Sequence, residues 1–182
     1  GGGGGGGGGC FRAGTQIQVE GGKTVSIENL TVGQEVLSYD EQGRIFVSKV
    51  LEVHYHEAEA LIKVEFWNGS IDITSNHWVL NQYGAFVEIG TLTIHDALVD
   101  GMGHLRPIKD AKVLGVEPVW NLTVDPNHTF IANGIRVHNG GYRERFPVAG
   151  SGGGGGKGGG GGSQHVPVES PDSLHSKQFA RI

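Results

Sequence analysis

An all-β domain is expected between Cys10 and Asn139, and three observations carry that expectation. β-Branched and alternating runs recur, as in Thr15-Gln16-Ile17-Gln18-Val19 and across residues 47–53. Turn-forming residues separate these runs at short intervals. Apolar residues never keep a helical spacing for more than about two turns.

The elements follow in chain order. The strand at 15–19 stops at Gly21-Gly22, a pair that takes left-handed backbone without strain. A short helical turn is expected near Glu28 to Leu30. Residues 40–43, ending in Gly43, form a turn before the strand at 47–53. Asn68-Gly69 turns the chain into Ile71-Asp72-Ile73. Asn133-Gly134 lies between Thr129-Phe130-Ile131 and Ile135-Arg136-Val137, which predicts a tight hairpin.

An internal repeat adds architecture. Leu30-Thr31-Val32 recurs as Leu92-Thr93-Ile94, 62 residues on, and Lys49-Val50-Leu51-Glu52-Val53 as Lys112-Val113-Leu114-Gly115-Val116, 63 residues on. Two matches at nearly one offset predict two β subdomains related by a pseudo-twofold.

Composition sets the boundaries. Of 34 glycines, 22 lie outside residues 10–139 and 12 inside, so the inner segment has an ordinary globular composition. Residues 1–9 are a poly-Gly flank, 10–139 a domain and 140–162 a Gly-rich linker. Residues 163–182 are expected to begin a further domain. The first residue is not Met, so the chain is expected to be an excerpt of a longer protein. A net charge of -5 without a basic stripe disfavours nucleic acid and membrane surfaces as partners. No apolar run reaches the ~18 residues of a spanning helix, and no signal peptide is expected. A single cysteine forms no internal disulfide, and as a working thiol it needs a reducing compartment such as cytosol.

The candidate chemistry lies at the two ends of the domain. Cys10 follows Gly9, whose unhindered carbonyl its thiol can attack through a five-membered ring to give a thioester. The bland alternative is a buried, inert cysteine, but a cysteine at the edge of a linker is poorly placed to be core, which favours a nucleophile. Thr74-Ser75-Asn76-His77 follows a strand, and a hydroxyl and an imidazole there can converge on a scissile amide, with His77 protonating the departing nitrogen. Taken alone, Thr74 and His77 read more simply as part of an exposed loop. At the other end the Asn139 side chain can attack its own carbonyl and release Gly140, with His138 polarising that carbonyl and His128 serving proton transfers. Taken alone, Asn139-Gly140 reads as a turn or a deamidation site. His54-Tyr55-His56 puts two imidazoles on one strand face, but no third ligand has suitable spacing, so no metal and no cofactor are expected.

In order along the chain, these motifs resemble the Hint superfamily of inteins, bacterial intein-like domains and Hedgehog autoprocessing domains. The resemblance rests on Cys10-Phe11-Arg12-Ala13-Gly14-Thr15, on Ile27 through Leu37, and on Thr74-Ser75-Asn76-His77. It continues through residues 119–124 and 128–134 to Val137-His138-Asn139. It implies an all-β horseshoe of two pseudo-twofold-related subdomains. It also implies autocatalytic, single-turnover self-processing: an N-S acyl shift at Gly9-Cys10 and Asn139 cyclisation, with cleavage or splicing of the chain's own flanks. Inteins are normally followed by Cys, Ser or Thr, where this chain has Gly140, and often carry Asp where it has Asn121. Asn121 is therefore a candidate modulator, and both departures resemble the bacterial intein-like branch. The span between His77 and Val119 leaves no room for a homing endonuclease. The reading of another class is a silent β module acting as spacer or interaction domain.

Ser170-Pro171-Asp172-Ser173-Leu174-His175-Ser176-Lys177-Gln178 resembles the N-terminal region of the tip attachment proteins of long-tailed phages. This implies phage tail proteins as further partners. It also implies processing in the bacterial host cytoplasm during phage assembly, with a flanking product in the virion tail.

Overall fold

The computed structural model describes residues 9–138. Asn139, Gly140, the Gly-rich linker and the region resembling a phage protein lie outside the described residues. Within them the chain forms β1 (Phe11–Arg12), β2 (Gln16–Val19), β3 (Lys23–Ser26), β4 (Glu35–Tyr39), β5 (Ile45–Phe66) and β6 (Gly69–Ile73). It continues as β7 (Trp78–Leu80), β8 (Phe86–Glu88), β9 (Ala97–Val99), β10 (Leu105–Asp125), β11 (Thr129–Ala132) and β12 (Ile135–His138). One sheet runs β4-β5-β6-β1-β10-β9 with β5 also paired to β10, and the other β3-β2-β11-β12-β7-β8. The expected helical turn is a 3-10 turn at Ile27–Asn29, and further ones lie at Glu20–Gly22 and Ile89–Thr91.

β5 and β10 are far longer than the usual strand of ~5–6 residues. They span 22 and 21 residues and pair antiparallel from Phe66↔Ile108 to Lys49↔Asp125. At one register shift Val113 pairs Ile62 while Gly115 pairs Leu61, so Leu114 is an extra residue. Gly115 has φ 116°, a conformation glycine takes without strain, and it permits this bulge. The predicted hairpin forms at Asn133 (φ 49°) and Gly134 (φ 84°), the left-handed pair a tight β-turn requires.

Alternation sorts side chains onto two faces. Phe11, Val64, Phe66 and Ile73 enter the main core with Ile17, Ile27, Val79, Ile89 and Phe130. Cys10 and Leu61, at positions of the opposite parity, form a small cluster with Val119, and the bulged Leu114 packs against it. Cys10 is 3% exposed, so the expectation that the linker edge keeps it out of the interior fails. The short β1 is clamped between β6 and β10, and the pairing that fixes Phe11 draws Cys10 in with it.

The pseudo-twofold is visible bond by bond. Ile27 N–H donates to the Thr15 carbonyl at 2.8 Å, and 62 residues later Ile89 N–H donates to His77 at 2.8 Å. Leu30 caps one 3-10 turn and Leu92 its counterpart. Gln34 Oε1 accepts from Thr31 N–H as Asp96 Oδ2 accepts from Thr93 N–H. The Leu30/Leu92 match therefore marks the symmetry. The Lys49/Lys112 match does not: Val50 N–H donates to Gln34 as Ile108 N–H donates to Asp96, so Val50 corresponds to Ile108 rather than Val113.

Candidate active site

The N-terminal junction is held by its own amide. Cys10 N–H donates to Thr74 Oγ1 at 2.8 Å, and Thr74 N–H donates to the Cys10 carbonyl at 2.9 Å. The Thr74 hydroxyl donates in turn to Asn76 Oδ1 at 2.7 Å, so its orientation is fixed by two bonds. Asn76 lies inside the Thr74-to-His77 motif, where the sequence alone assigns it no role. Its signal is local, a short polar acceptor two residues after a hydroxyl.

His77 is fully buried, not an exposed loop residue. Its ring lies 4.3 Å from that of Phe11, centroid to centroid. Burial lowers its pKa from 6.5 to about 3, against the opposing influence of the backbone groups of Gly9 and His138. The ring is thus neutral at pH 7. Neither nitrogen makes a well-formed hydrogen bond with a described residue, although the Gly9 and His138 backbones are near enough to favour the charged form. A buried imidazole with unsatisfied nitrogens is costly unless the site uses it.

Gly9 lies hard against this ring. A Cβ placed on Gly9 would overlap His77 Cα and Cβ and stand 2.6 Å from Nδ1. The Cys10 thiol has its pKa pushed up to about 12, mainly by burial and secondarily by the charge of Glu59. At neutral pH it is a protonated thiol and needs a proton acceptor before it can attack.

At the other end, β12 carries the chain out through His138, which is 7% exposed. The His138 ring is 4.9 Å from Phe86 and 6.2 Å from His128, and His128 Nδ1 lies 3.0 Å from the Val124 carbonyl. The Tyr39 hydroxyl donates to the Val137 carbonyl at 2.9 Å and anchors this exit. The fold thus gathers Gly9, Cys10, Thr74 and His77 at one junction, places His138 and His128 together at the other, and sets His77 between Gly9 and His138. Asn121, one step past the Phe11↔Trp120 pair, is level with Cys10 but turns its Oδ1 to the N–H of Leu122 at 2.8 Å. His54 bonds Thr123 Oγ1 at 2.7 Å, and among the described residues no metal-holding cluster forms.

The pseudo-symmetric twin of this site lacks its chemistry. Arg12 and Thr15 occupy the places of Thr74 and His77, since Thr15 N–H donates to Arg12 as His77 N–H donates to Thr74. The pairs Ile17↔Ala132 and Val79↔Val137 make Asn133 the counterpart of His138. The twin is a small polar pocket lined by Arg12, Thr15, Ser70, Asp72 and Asn133, with no thiol and no imidazole.

The Hint module family matches residues 5–86. No curated protein sequence matches the chain. The structure is similar to a bacterial intein-like domain from Clostridium thermocellum, with 30% identity and a TM-score of 0.67 over 71% of this chain and 98% of that one. It is also similar to a DnaB intein from Synechocystis sp. PCC 6803, with 29% identity and a TM-score of 0.65 over 72% and 98% of the two chains. The gp41-1 intein matches at 28% identity and a TM-score of 0.63 over 73% and 100%. With the two-sheet fold and the paired junctions, these likenesses establish that the chain belongs to the Hint superfamily of intein and intein-like domains, and that self-processing is the activity its fold supports.

Proposed function

We propose that the domain breaks the peptide bonds at both of its ends, Gly9-Cys10 through a thioester and Asn139-Gly140 through a succinimide. The position of the neutral His77 ring, between the Gly9 and His138 backbones, carries this reading.

In the first step Cys10 Sγ bonds to the Gly9 carbonyl carbon. The carbonyl oxygen becomes an oxyanion, and the ring edge of His77 lies against Gly9 to meet that charge in a site closed to water. The C–N bond then breaks as the proton given up by the thiol passes, by way of His77, to the Cys10 nitrogen, which leaves as an amine from beside Thr74 Oγ1. In the second step the Asn139 side-chain nitrogen bonds to its own carbonyl carbon and Gly140 leaves as a free amine. His138, the residue before Asn139, and His128, whose ring is 6.2 Å from that of His138, are assigned to this step. The region after residue 162 is read as the start of a phage tail protein released or joined by these steps.

Intact-mass measurement of a chain tagged on both flanks tests this. The parent yields fragments split at both junctions, and added thiol accelerates the first split. Cys10→Ala stops the first and Asn139→Ala the second. A parent chain that stays whole overturns the proposal.

A further inference from the structure

We propose that Tyr39 is the positioning residue for the break at Asn139-Gly140, an inference that rests on the succinimide reading above. Cyclisation needs the Asn139 side chain aligned on its own carbonyl, so the backbone leading to it has to be held. Tyr39, at the end of β4, provides that hold from the other sheet. Its hydroxyl donates to the Val137 carbonyl at 2.9 Å, in the peptide that joins Val137 to His138. Among the described residues β7 meets β12 at a single pair, Val137↔Val79, so the ladder there is short and the bond from Tyr39 is a further hold on the same residue. The Tyr39 backbone grips the facing strand as well. Its N–H donates to Thr129 Oγ1 at 3.0 Å, and that hydroxyl donates to the Tyr39 carbonyl at 2.7 Å. Thr129 is the cross-strand partner of His138. The ring reaches His138 through Phe86, which stacks at 6.4 Å from Tyr39 and meets the His138 ring edge-on at 4.9 Å.

Tyr39 is itself fixed by an unusual neighbour. The Arg136 guanidinium lies 4.7 Å from the centre of the Tyr39 ring. Its Nη2 donates to the Gly101 carbonyl at 2.9 Å and to the Gly43 carbonyl at 3.3 Å. Arg136 is buried, no carboxylate among the described residues pairs with it, and its Nε makes no hydrogen bond there. A buried charge without a counter-ion is costly, and the fold keeps this one over the ring that holds the junction. Burial pushes the Tyr39 hydroxyl well above its usual pKa, against the nearby Arg136 charge, so it remains a donor throughout the neutral range.

Tyr39 takes no part in making or breaking bonds. It fixes the backbone two residues before Asn139 and so the direction in which the chain leaves β12. The other junction has its own anchor, since Thr74, just after β6, holds the Cys10 amide. The two breaks therefore respond differently to the loss of the Tyr39 hydroxyl.

The test reads both breaks in one molecule by time-resolved mass spectrometry. It compares the parent, Tyr39→Phe and a chain with 4-aminophenylalanine at position 39. Tyr39→Phe keeps the ring and loses the donor, and is expected to slow release of Gly140 about 10- to 10²-fold, the scale of a misplaced reacting group. Thiol-dependent release at Gly9-Cys10 should stay close to the parent, which also reports that the variant is folded. The amino variant keeps a weaker donor in place and should fall between the two at Gly140 alone. If Tyr39→Phe does not fold, the amino variant decides: slower Gly140 release supports the proposal, and release at the parent rate overturns it. A folded Tyr39→Phe that releases Gly140 at the parent rate, or that is slowed equally at both junctions, overturns the proposal and leaves the succinimide reading standing. A parent that never releases Gly140 overturns both.

Discussion

Gly9 and His77 are in direct van der Waals contact, so closely that the space for a Cβ on Gly9 is already filled by His77 backbone and side chain. His77 cannot retreat easily, because Phe11 packs on its ring and the residue is fully buried.

The junction should therefore select glycine at position 9. Gly9→Ala is expected to slow thiol-dependent release about tenfold and Gly9→Val about 10²-fold or more, as misplacement of a reacting group by about an ångström does. Time-resolved mass spectrometry checks this. A valine variant as fast as the parent would show that the contact relaxes without consequence.

Thr74 holds the scissile amide, and its removal should be felt in both stability and rate. Thr74→Val keeps the volume but strands the Cys10 N–H and the Asn76 acceptor, at a cost of about 1–3 kcal/mol. Urea unfolding of the uncleaved form and the rate of release are the measurements. Thr74→Ser, which retains the hydroxyl, should stay near the parent in both.

Two buried groups bound the pH range of full stability from either side. The His77 pKa falls from 6.5 unfolded to about 3 folded, so its contribution is full above pH 6.5 and is lost as pH drops toward 3. The Cys10 pKa rises from 9.0 to about 12, so its contribution is full below pH 9 and is lost as pH climbs toward 12. A plateau between about pH 6.5 and 9 is expected in urea midpoints of an Asn139→Ala chain before thiol is added. Cys10→Ala should flatten the slope that begins near pH 9, leaving the one due to buried Tyr39 above pH 10, and His77→Phe the slope that begins near pH 6.5, leaving the one due to Asp100 at the acid end. An acid slope unchanged in His77→Phe would trace it to other groups.

Cleavage should outrun ligation. Gly140 offers no side-chain nucleophile, and once released its freed amine is no longer tethered to the domain and must compete with water for the Gly9 thioester. Separate fragments are expected to dominate over the joined Gly9-Gly140-Gly141-Tyr142 product. Gly140→Cys should raise the joined fraction severalfold by mass spectrometry. Mostly joined flanks from the parent would make splicing its main reaction.

What the sequence determined by itself was local. Asn133-Gly134 specifies its turn because only residues tolerant of positive φ fit there, and the sequence repeat at Leu30 and Leu92 marks equivalent caps because the same short pattern closes the same 3-10 turn. The Thr74-to-His77 motif was legible for the same reason, as four consecutive residues at a strand end. Tertiary structure decided everything that depends on which distant strands meet. The 22-residue β5 and 21-residue β10 bury Cys10 under Leu61 and Val119, and set Glu59 opposite Glu117 through a register fixed partly by a bulge. The second sheet carries the His138 backbone back to His77, across 61 residues of chain, so that one ring is influenced by the backbones of both Gly9 and His138. Turn chemistry is set by neighbours a few bonds away. Burial and pKa are set by contacts between residues far apart in the chain, which no local pattern encodes.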